Sequence, residues 1–395
     1  MSKNSKEYQT YKILEHWQPA NEILLVEEFT NKTEKLSALL TYLYNKTKNE
    51  YKQFPIRKDG TNPFIHPLNL AWDLKKAKVE DPITLIVGLI HDLVEEKVDI
   101  YKEKNNLDEN KEGIKILDEY ELNLFKELEQ EIIDFCKNND LQANFVEEII
   151  NILKLLTRHK RHFYYRSISA IFTCKDEELK KKAIQIKLAD RIHNIQSLDS
   201  FCFQGKIYQC FKNLFIINNA KRYLMDKFGE DVDPSRGIHP TEKLFKKCCK
   251  STYDAFLNVC HLCLNDGAKE VESMLQLAFR KFVHEEHGLW NVTKVDKDET
   301  HPMRLYRGIV RKYDARLHLE FDRYEKMKDY EMNFCRKFFS DFNFSEEKLN
   351  SILCYKDAYA LKEVISRILY KPNYVISGFG CSDLCSRGMV CMKDD

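Results

Sequence analysis

Apolar residues recur along this chain at helical rather than strand spacing. Phe145, Ile149, Ile152, Leu153 and Leu156 fall at i, i+4, i+7, i+8 and i+11, which is one face of an amphipathic helix. Near the start, Leu24, Leu25, Phe29, Leu36, Leu39, Leu40 and Leu43 predict one or two further amphipathic helices. Ile83 to Ile90 is unbroken apolar sequence, the mark of a helix that is normally buried. Asn62-Pro63 is a turn signal, and Pro67 suits the first turn of a helix. The stretch Asp99 to Asn110 is polar and reads as a loop, after which Ile114, Leu117, Tyr120, Leu124 and Leu128 return to helical spacing. Gly229 to Gly237 gathers two glycines and a proline and is the best linker, so a domain boundary is placed near residue 230. From Ile238 to about Tyr370 the pattern is again helical, and the last residues read as a loosely held tail.

Composition agrees with the pattern. Glycine (12) and proline (9) are scarce in 395 residues, against the ~12% of average usage, which disfavours turn-rich β architectures. With 43% hydrophobic residues the chain can bury a sizeable core, and the expected class is all-α. Sixty-three basic residues against 62 acidic ones leave +1, so no global charge argues for nucleic acid or a membrane surface as partner. Locally, Arg158 to Lys187 is basic; it reads either as a solvated helix face or as a wall facing a phosphorylated substrate. The 13 cysteines are odd in number, and Met1 to Asn21 is polar rather than leader-like, so a reducing, cytoplasmic setting with free thiols is expected. Cys260 and Cys263 have CxxC spacing, but no second pair follows at zinc-ribbon distance, and Cys381, Cys385 and Cys391 lack a histidine partner. His284 and His287 stand at i, i+3, which is not the HExxH spacing, and read as surface.

The strongest chemical signal is His91-Asp92, at the end of the apolar run. Adjacent side chains on a helix point about 100° apart, so both can serve one partner only if it lies close to the backbone. A metal ion is such a partner. Upstream, Arg57-Lys58-Asp59-Gly60-Thr61-Asn62-Pro63-Phe64-Ile65-His66-Pro67 places a histidine at a helix start, shortly after two bases. Downstream, Asp190, Asn194 and Ser197 stand at i, i+4 and i+7, opposite Ile184, Leu188, Ile192 and Ile195. Such a polar stripe needs either a metal with a polar ligand or a buried hydrogen-bond network. His193, in the same segment, reads either as a support for a ligand or as a core histidine. Arg191 reads as an ion-pairing residue, and Trp72, Tyr164 and Tyr165 as core or pocket wall.

These segments resemble the signatures of a known family. His66, His91-Asp92 and Asp190 match the H…HD…D pattern of the HD-domain metal-dependent phosphohydrolases. R-K-D-G-T-N-P-F-I-H-P, H-D-L-V-E-E and K-L-A-D-R-I-H-N resemble more narrowly the RelA/SpoT-type hydrolase domain, which removes the 3′-pyrophosphate of guanosine 3′,5′-bis(diphosphate), (p)ppGpp. The resemblance covers roughly residues 28 to 225. It implies an N-terminal segment over 1–27, an HD helical bundle over 28–229 with an insertion around 99–140, and a helical accessory region of unknown function over 230–395. No segment after residue 230 resembles the alarmone synthetase domain, so the expectation is a hydrolase alone.

The resemblance also implies roles. His66, His91, Asp92 and Asp190 would hold one divalent ion. The resemblance points to Mn²⁺, and an N/O donor set also admits Fe²⁺, Co²⁺, Ni²⁺ or Zn²⁺. Glu95 would position or deprotonate the attacking water, and Glu96 would support proton transfer, although the family usually has Asp at the second place. Arg57 and Lys58 would contact the substrate, Asn194 the sugar, and Ser197 stands where the family often has threonine. The implied partner is a small nucleotide, with no nucleic acid and no membrane, and the C-terminal region is left for a protein partner or an oligomer contact. Two other readings stand beside this one: a different HD nucleotidase or deoxynucleotide triphosphohydrolase, and a non-catalytic HD-fold binding protein.

Overall fold

The computed structural model describes residues 17–30, 36–108, 110–157, 164–229, 238–284 and 306–384. The regular elements among them are α-helices and short 3₁₀ turns, so the fold is all-α. By internal contacts the chain divides into two units, Met1–Ser197 with Asp233–Lys247, and Leu198–Val232 with Cys248–Asp395. No helix among the described residues is long and apolar enough to cross a membrane.

The first unit contains α1 (Ser37–Glu50), α2 (Ile65–Lys76), α3 (Pro82–Ile90), α4 (Leu93–Lys104), α5 (Lys111–Asn138), α6 (Val146–Leu156), α7 (Tyr164–Thr173) and α8 (Glu177–Gln196). At its centre is α8, which packs against α2, α3, α6 and α7. It starts where the Asp176 carboxylate accepts from the amides of Glu178 at 2.9 Å and Leu179 at 3.0 Å. Ile184, Ile186, Leu188, Ala189 and Ile192 are buried on it, and so are Asp190, Arg191 and His193. A helix buried all round carries its polar groups into the interior, where each must find a partner. The apolar run predicted as a buried helix is α3, with Ile83 through Ile90 all buried. It is opened by the Asp81 cap on Thr84 N at 2.8 Å and by Pro82 in the first turn. Gly88 lets α3 approach α2 closely: a Cβ there would stand 2.8 Å from Leu70 Cδ2. The predicted face at Ile149, Ile152, Leu153 and Leu156 is the buried face of α6.

Several expectations need correction. Of the one or two helices expected from the early leucines, one forms, α1, while residues 24–29 hold a 3₁₀ turn at Val26–Glu28 with Leu25 64% exposed. The polar stretch from Asp99 is not all loop, since α4 continues to Lys104. Val98 is buried, and Tyr101 stacks on Tyr120 of α5 at 4.0 Å and 15°. A helix kept by so few apolar positions gives little periodic signal. The segment before α1 is tied down at Trp17–Ala20: Asn69 of α2 exchanges hydrogen bonds with Ala20, accepting at 2.7 Å and donating at 2.9 Å, and Gln196 donates to the Trp17 carbonyl at 3.2 Å. Within the basic stretch, Lys180 pairs with Glu177, Lys181 with Glu178, and Lys182 with Glu148 and Asp81. Residues 158–163 of that stretch lie outside the described residues.

The second unit contains α9 (Phe203–Phe228), the part of α10 (Pro240–Asn265) from Cys248 onward, α11 (Glu272–His284), α12 (Tyr306–Leu317), α13 (Phe321–Phe338) and α14 (Glu346–Tyr370). Within it α14 is buried along most of its length and packs on α9, α12 and α13. Contacts divide the chain after Ser197, Val232 and Lys247, so one division falls near the expected residue 230, while α9, which packs on α14, groups with the second unit. The GEDVDPSRG linker lies, from Glu230 on, outside the described residues. The tail is anchored at its start: Asn218 donates to the carbonyls of Ile376 at 3.1 Å and Phe379 at 2.8 Å, and Phe379 is fully buried. Cys260 and Cys263 are buried free thiols while His261 between them is exposed, so they do not converge with it on a metal. Residues 285–287 and Cys385 and Cys391 lie outside the described residues.

Candidate metal centre

Three elements bring the sequence-predicted ligands together. His66 lies in the first turn of α2, set there by a turn in which Asn62 Oδ1 accepts from Phe64 N at 2.9 Å. His91 and Asp92 form the break between α3 and α4, and Asp190 lies on α8. Ligand atoms of His66, His91 and Asp92 lie within 4.8 Å of one another, the one such group of three among the described residues. His91 Nε2 is 3.0 Å and His66 Nε2 3.3 Å from Asp92 Oδ2. Asp190 Oδ1 is also 3.3 Å from His66 Nε2, yet Asp190 falls outside the group of three. Its carboxylate is drawn aside by Lys187 at 2.8 Å, and Asn194 donates to its Oδ1.

The histidines are oriented by their far nitrogens. His91 Nδ1 lies 2.8 Å from the Gly88 carbonyl, which can only accept, so Nδ1 carries a hydrogen and, in the neutral ring, Nε2 presents a lone pair. That Nε2 is buried and makes no hydrogen bond; the approach of Asp92 lacks the geometry for one. A lone pair on that nitrogen and one on the carboxylate oxygen repel unless a proton or a metal ion lies between them. His66 Nδ1 faces His193 Nδ1 at 2.9 Å.

Charges keep both carboxylates ionised and make His91 more basic than usual, so that a metal bound there competes with a proton. Burial pushes the Asp92 carboxyl up, but His91 and His66 outweigh it and hold Asp92 far below the usual carboxylate range. Asp190 is likewise held well below that range, its burial outweighed by Lys187 and then by His66. Burial lowers His91, but Asp92 and Asp190 raise it above the ordinary imidazole value. His193 is pushed down to about 2 by burial, by His66 and by Arg57, so it is neutral.

The other predicted residues divide. Arg57 Nη2 donates to Asn194 Oδ1 at 3.3 Å, so a predicted phosphate or base contact and a predicted sugar contact are neighbours. Arg57 is placed by a tight turn in which Gly60, at φ +81°, donates to the Arg57 carbonyl at 2.9 Å. Lys58 is exposed beside it. Glu95 and Glu96 occupy the first turn of α4, half-buried, with Glu96 N bonded to the Asp92 carbonyl at 2.9 Å. Ser197 bonds its own helix, donating to the His193 carbonyl at 3.1 Å, and is not drawn into the cluster.

Sequence reasoning missed two groups. Lys187 was visible only as part of a motif; its i, i+3 spacing to Asp190 was the available signal. Tyr51 gave none. Its hydroxyl is buried without a hydrogen bond, and burial, then the charges of Asp92 and Glu96, hold its phenol well above its usual range. Compared with family models, curated proteins and solved structures, the chain finds no match.

Proposed function

We propose that the first unit is a metal-dependent phosphohydrolase of the HD type, acting on a nucleotide with a pyrophosphate group, in the first instance guanosine 3′,5′-bis(diphosphate). The observation that carries the reading is the convergence of ligand atoms of His66, His91 and the low-pKa carboxylate of Asp92 within 4.8 Å of one another. Two imidazoles and two carboxylates without a thiolate suit Mn²⁺. With His66, His91, Asp92 and Asp190 holding it, such an ion lowers the pKa of water and polarises a phosphoryl oxygen.

The chain's own residues supply the rest. Glu95 takes the proton of the attacking water, and Glu96 supports that transfer from the same helical turn. Arg57 forks onto phosphate or lies against the base, and Lys58 adds a point charge at the exposed rim. Asn194 links Arg57 to Asp190 and so couples substrate contact to the ligand set. Ser197 spends its hydrogen on the His193 carbonyl, which leaves only its lone pairs for a sugar hydroxyl.

The test is hydrolysis of a panel containing ppGpp, deoxynucleoside triphosphates and nucleoside monophosphates, with Mn²⁺ and with Asp190→Asn as control. The reading expects pyrophosphate release from ppGpp that Asp190→Asn abolishes. Turnover of deoxynucleoside triphosphates alone would keep the metal chemistry and replace the substrate. No turnover of any member by metal-loaded protein would contradict a phosphohydrolase of these nucleotides and favour a binding role.

A further inference from the structure

His66 Nδ1 and His193 Nδ1 lie 2.9 Å apart between buried rings whose centroids are 5.0 Å apart. Two ring nitrogens at hydrogen-bond distance share one hydrogen, since two hydrogens or two lone pairs would repel. With both rings neutral, two arrangements satisfy this. If His193 donates, neutral His66 carries its own hydrogen on Nε2, directed to oxygens of Asp92 and Asp190 at 3.3 Å, and offers a metal nothing. If His66 donates, its Nε2 lone pair is free and His193 carries its hydrogen on Nε2. His91 has no such choice, because its Nδ1 partner is the Gly88 carbonyl.

We propose that His193 is a positioning residue that selects the metal-binding tautomer of His66 by accepting its Nδ1 hydrogen. The inference rests on the metal centre proposed above. Loading moves the shared proton from His193 Nδ1 to His66 Nδ1. The proton on His66 Nε2 leaves to solvent, and one from solvent enters at His193 Nε2, so this exchange of tautomers takes up one proton and releases one. His193 therefore acts through His66 and does not touch the ion. Its backbone carbonyl, bonded by Ser197, helps keep the ring in place on α8.

The experiment compares Mn²⁺ affinity, by electron paramagnetic resonance titration, for wild type, His193→Phe and His193→Gln, with thermal unfolding of each in chelator. Phenylalanine fills the ring's space without an acceptor, whereas glutamine retains one. His193→Phe should weaken Mn²⁺ binding by about 10–100-fold, and His193→Gln should recover most of the loss. A folded His193→Phe that binds as tightly as wild type overturns the assignment, as does equal impairment of two folded variants. Wild-type protein that binds no Mn²⁺ overturns the centre along with it; wild-type binding with an unaffected His193→Phe removes only the role of His193. Should His193→Phe not fold, nitrogen-15 shifts of the Zn²⁺-loaded wild type decide. Hydrogen on His66 Nδ1 and His193 Nε2 supports the proposal, and hydrogen on His193 Nδ1 contradicts it.

Discussion

His66 Nε2 stands 3.3 Å from one oxygen of each of two carboxylates on different helices, so a single imidazole draws Asp92 and Asp190 toward one place. This cluster was legible in part. The identities of His66, His91, Asp92 and Asp190 came from the sequence, and so did the neighbours Arg57 and Asn194. The tautomers, the Lys187 pairing and the unpartnered Tyr51 hydroxyl did not, because each depends on atoms from separate segments. Asp92→Asn keeps the shape of the side chain and removes its charge; Mn²⁺ affinity by calorimetric titration should fall at least about tenfold, since metal ligation needs the carboxylate. A second prediction concerns Asp73 on α2, which burial pushes up to about 7 against the lowering charge of Lys247. Between the ordinary carboxyl value and about 7 the folded protein holds a proton that the unfolded chain has released. Stability contributed by that proton is present at the acid end and is lost as pH rises through the window. Asp73→Asn removes the titration, so the variant should gain on wild type with rising pH, by a few kcal/mol in all. Urea unfolding at pH 5 and pH 8 checks it; an unchanged difference between the two proteins would show that Asp73 does not titrate there.

At the scale of the element, the site depends on how α2, α3 and α8 meet. Gly88 serves twice: its missing side chain admits Leu70 and Leu74 of α2, and its carbonyl fixes His91. Gly88→Val should cost about 1–3 kcal/mol by overpacking and should weaken Mn²⁺ binding in the protein that remains folded. Chemical unfolding together with metal titration would show both; a loss of stability without loss of metal would separate packing from site. The elements most legible in the sequence were α3, from its unbroken apolar run, and α6, from its spacing. The length of α4 was hidden because its buried apolar positions end at Val98. Of the one or two helices the early leucines predicted, α1 forms and Val26–Glu28 is only a turn, since leucines at helical spacing need a surface to pack on and Leu25 is 64% exposed.

For the whole molecule, helical class followed from patterning and the scarcity of glycine and proline, but the division of the chain followed only in part. A linker marks where the chain turns, whereas a unit is defined by which apolar faces meet, and α9 meets α14. The second unit has its own buried charges: Lys312 contacts Glu331 and Asp357, at 2.6 Å for the latter, and Lys356 lies 3.0 Å from Glu331 and 3.2 Å from Asp357. Two cations balance two anions there, so Lys312→Met should strand carboxylates and cost about 3–5 kcal/mol in urea unfolding, while a neutral result would mean that the group is not dry. The central claim, however, is that this chain carries a metal centre. The direct measurement is Mn²⁺ stoichiometry by electron paramagnetic resonance for wild type and for His91→Ala with its fold checked by circular dichroism. The account predicts one Mn²⁺ per wild-type chain and none at that site in the variant. Wild-type protein without bound Mn²⁺, or a variant that binds it equally well, would contradict the account.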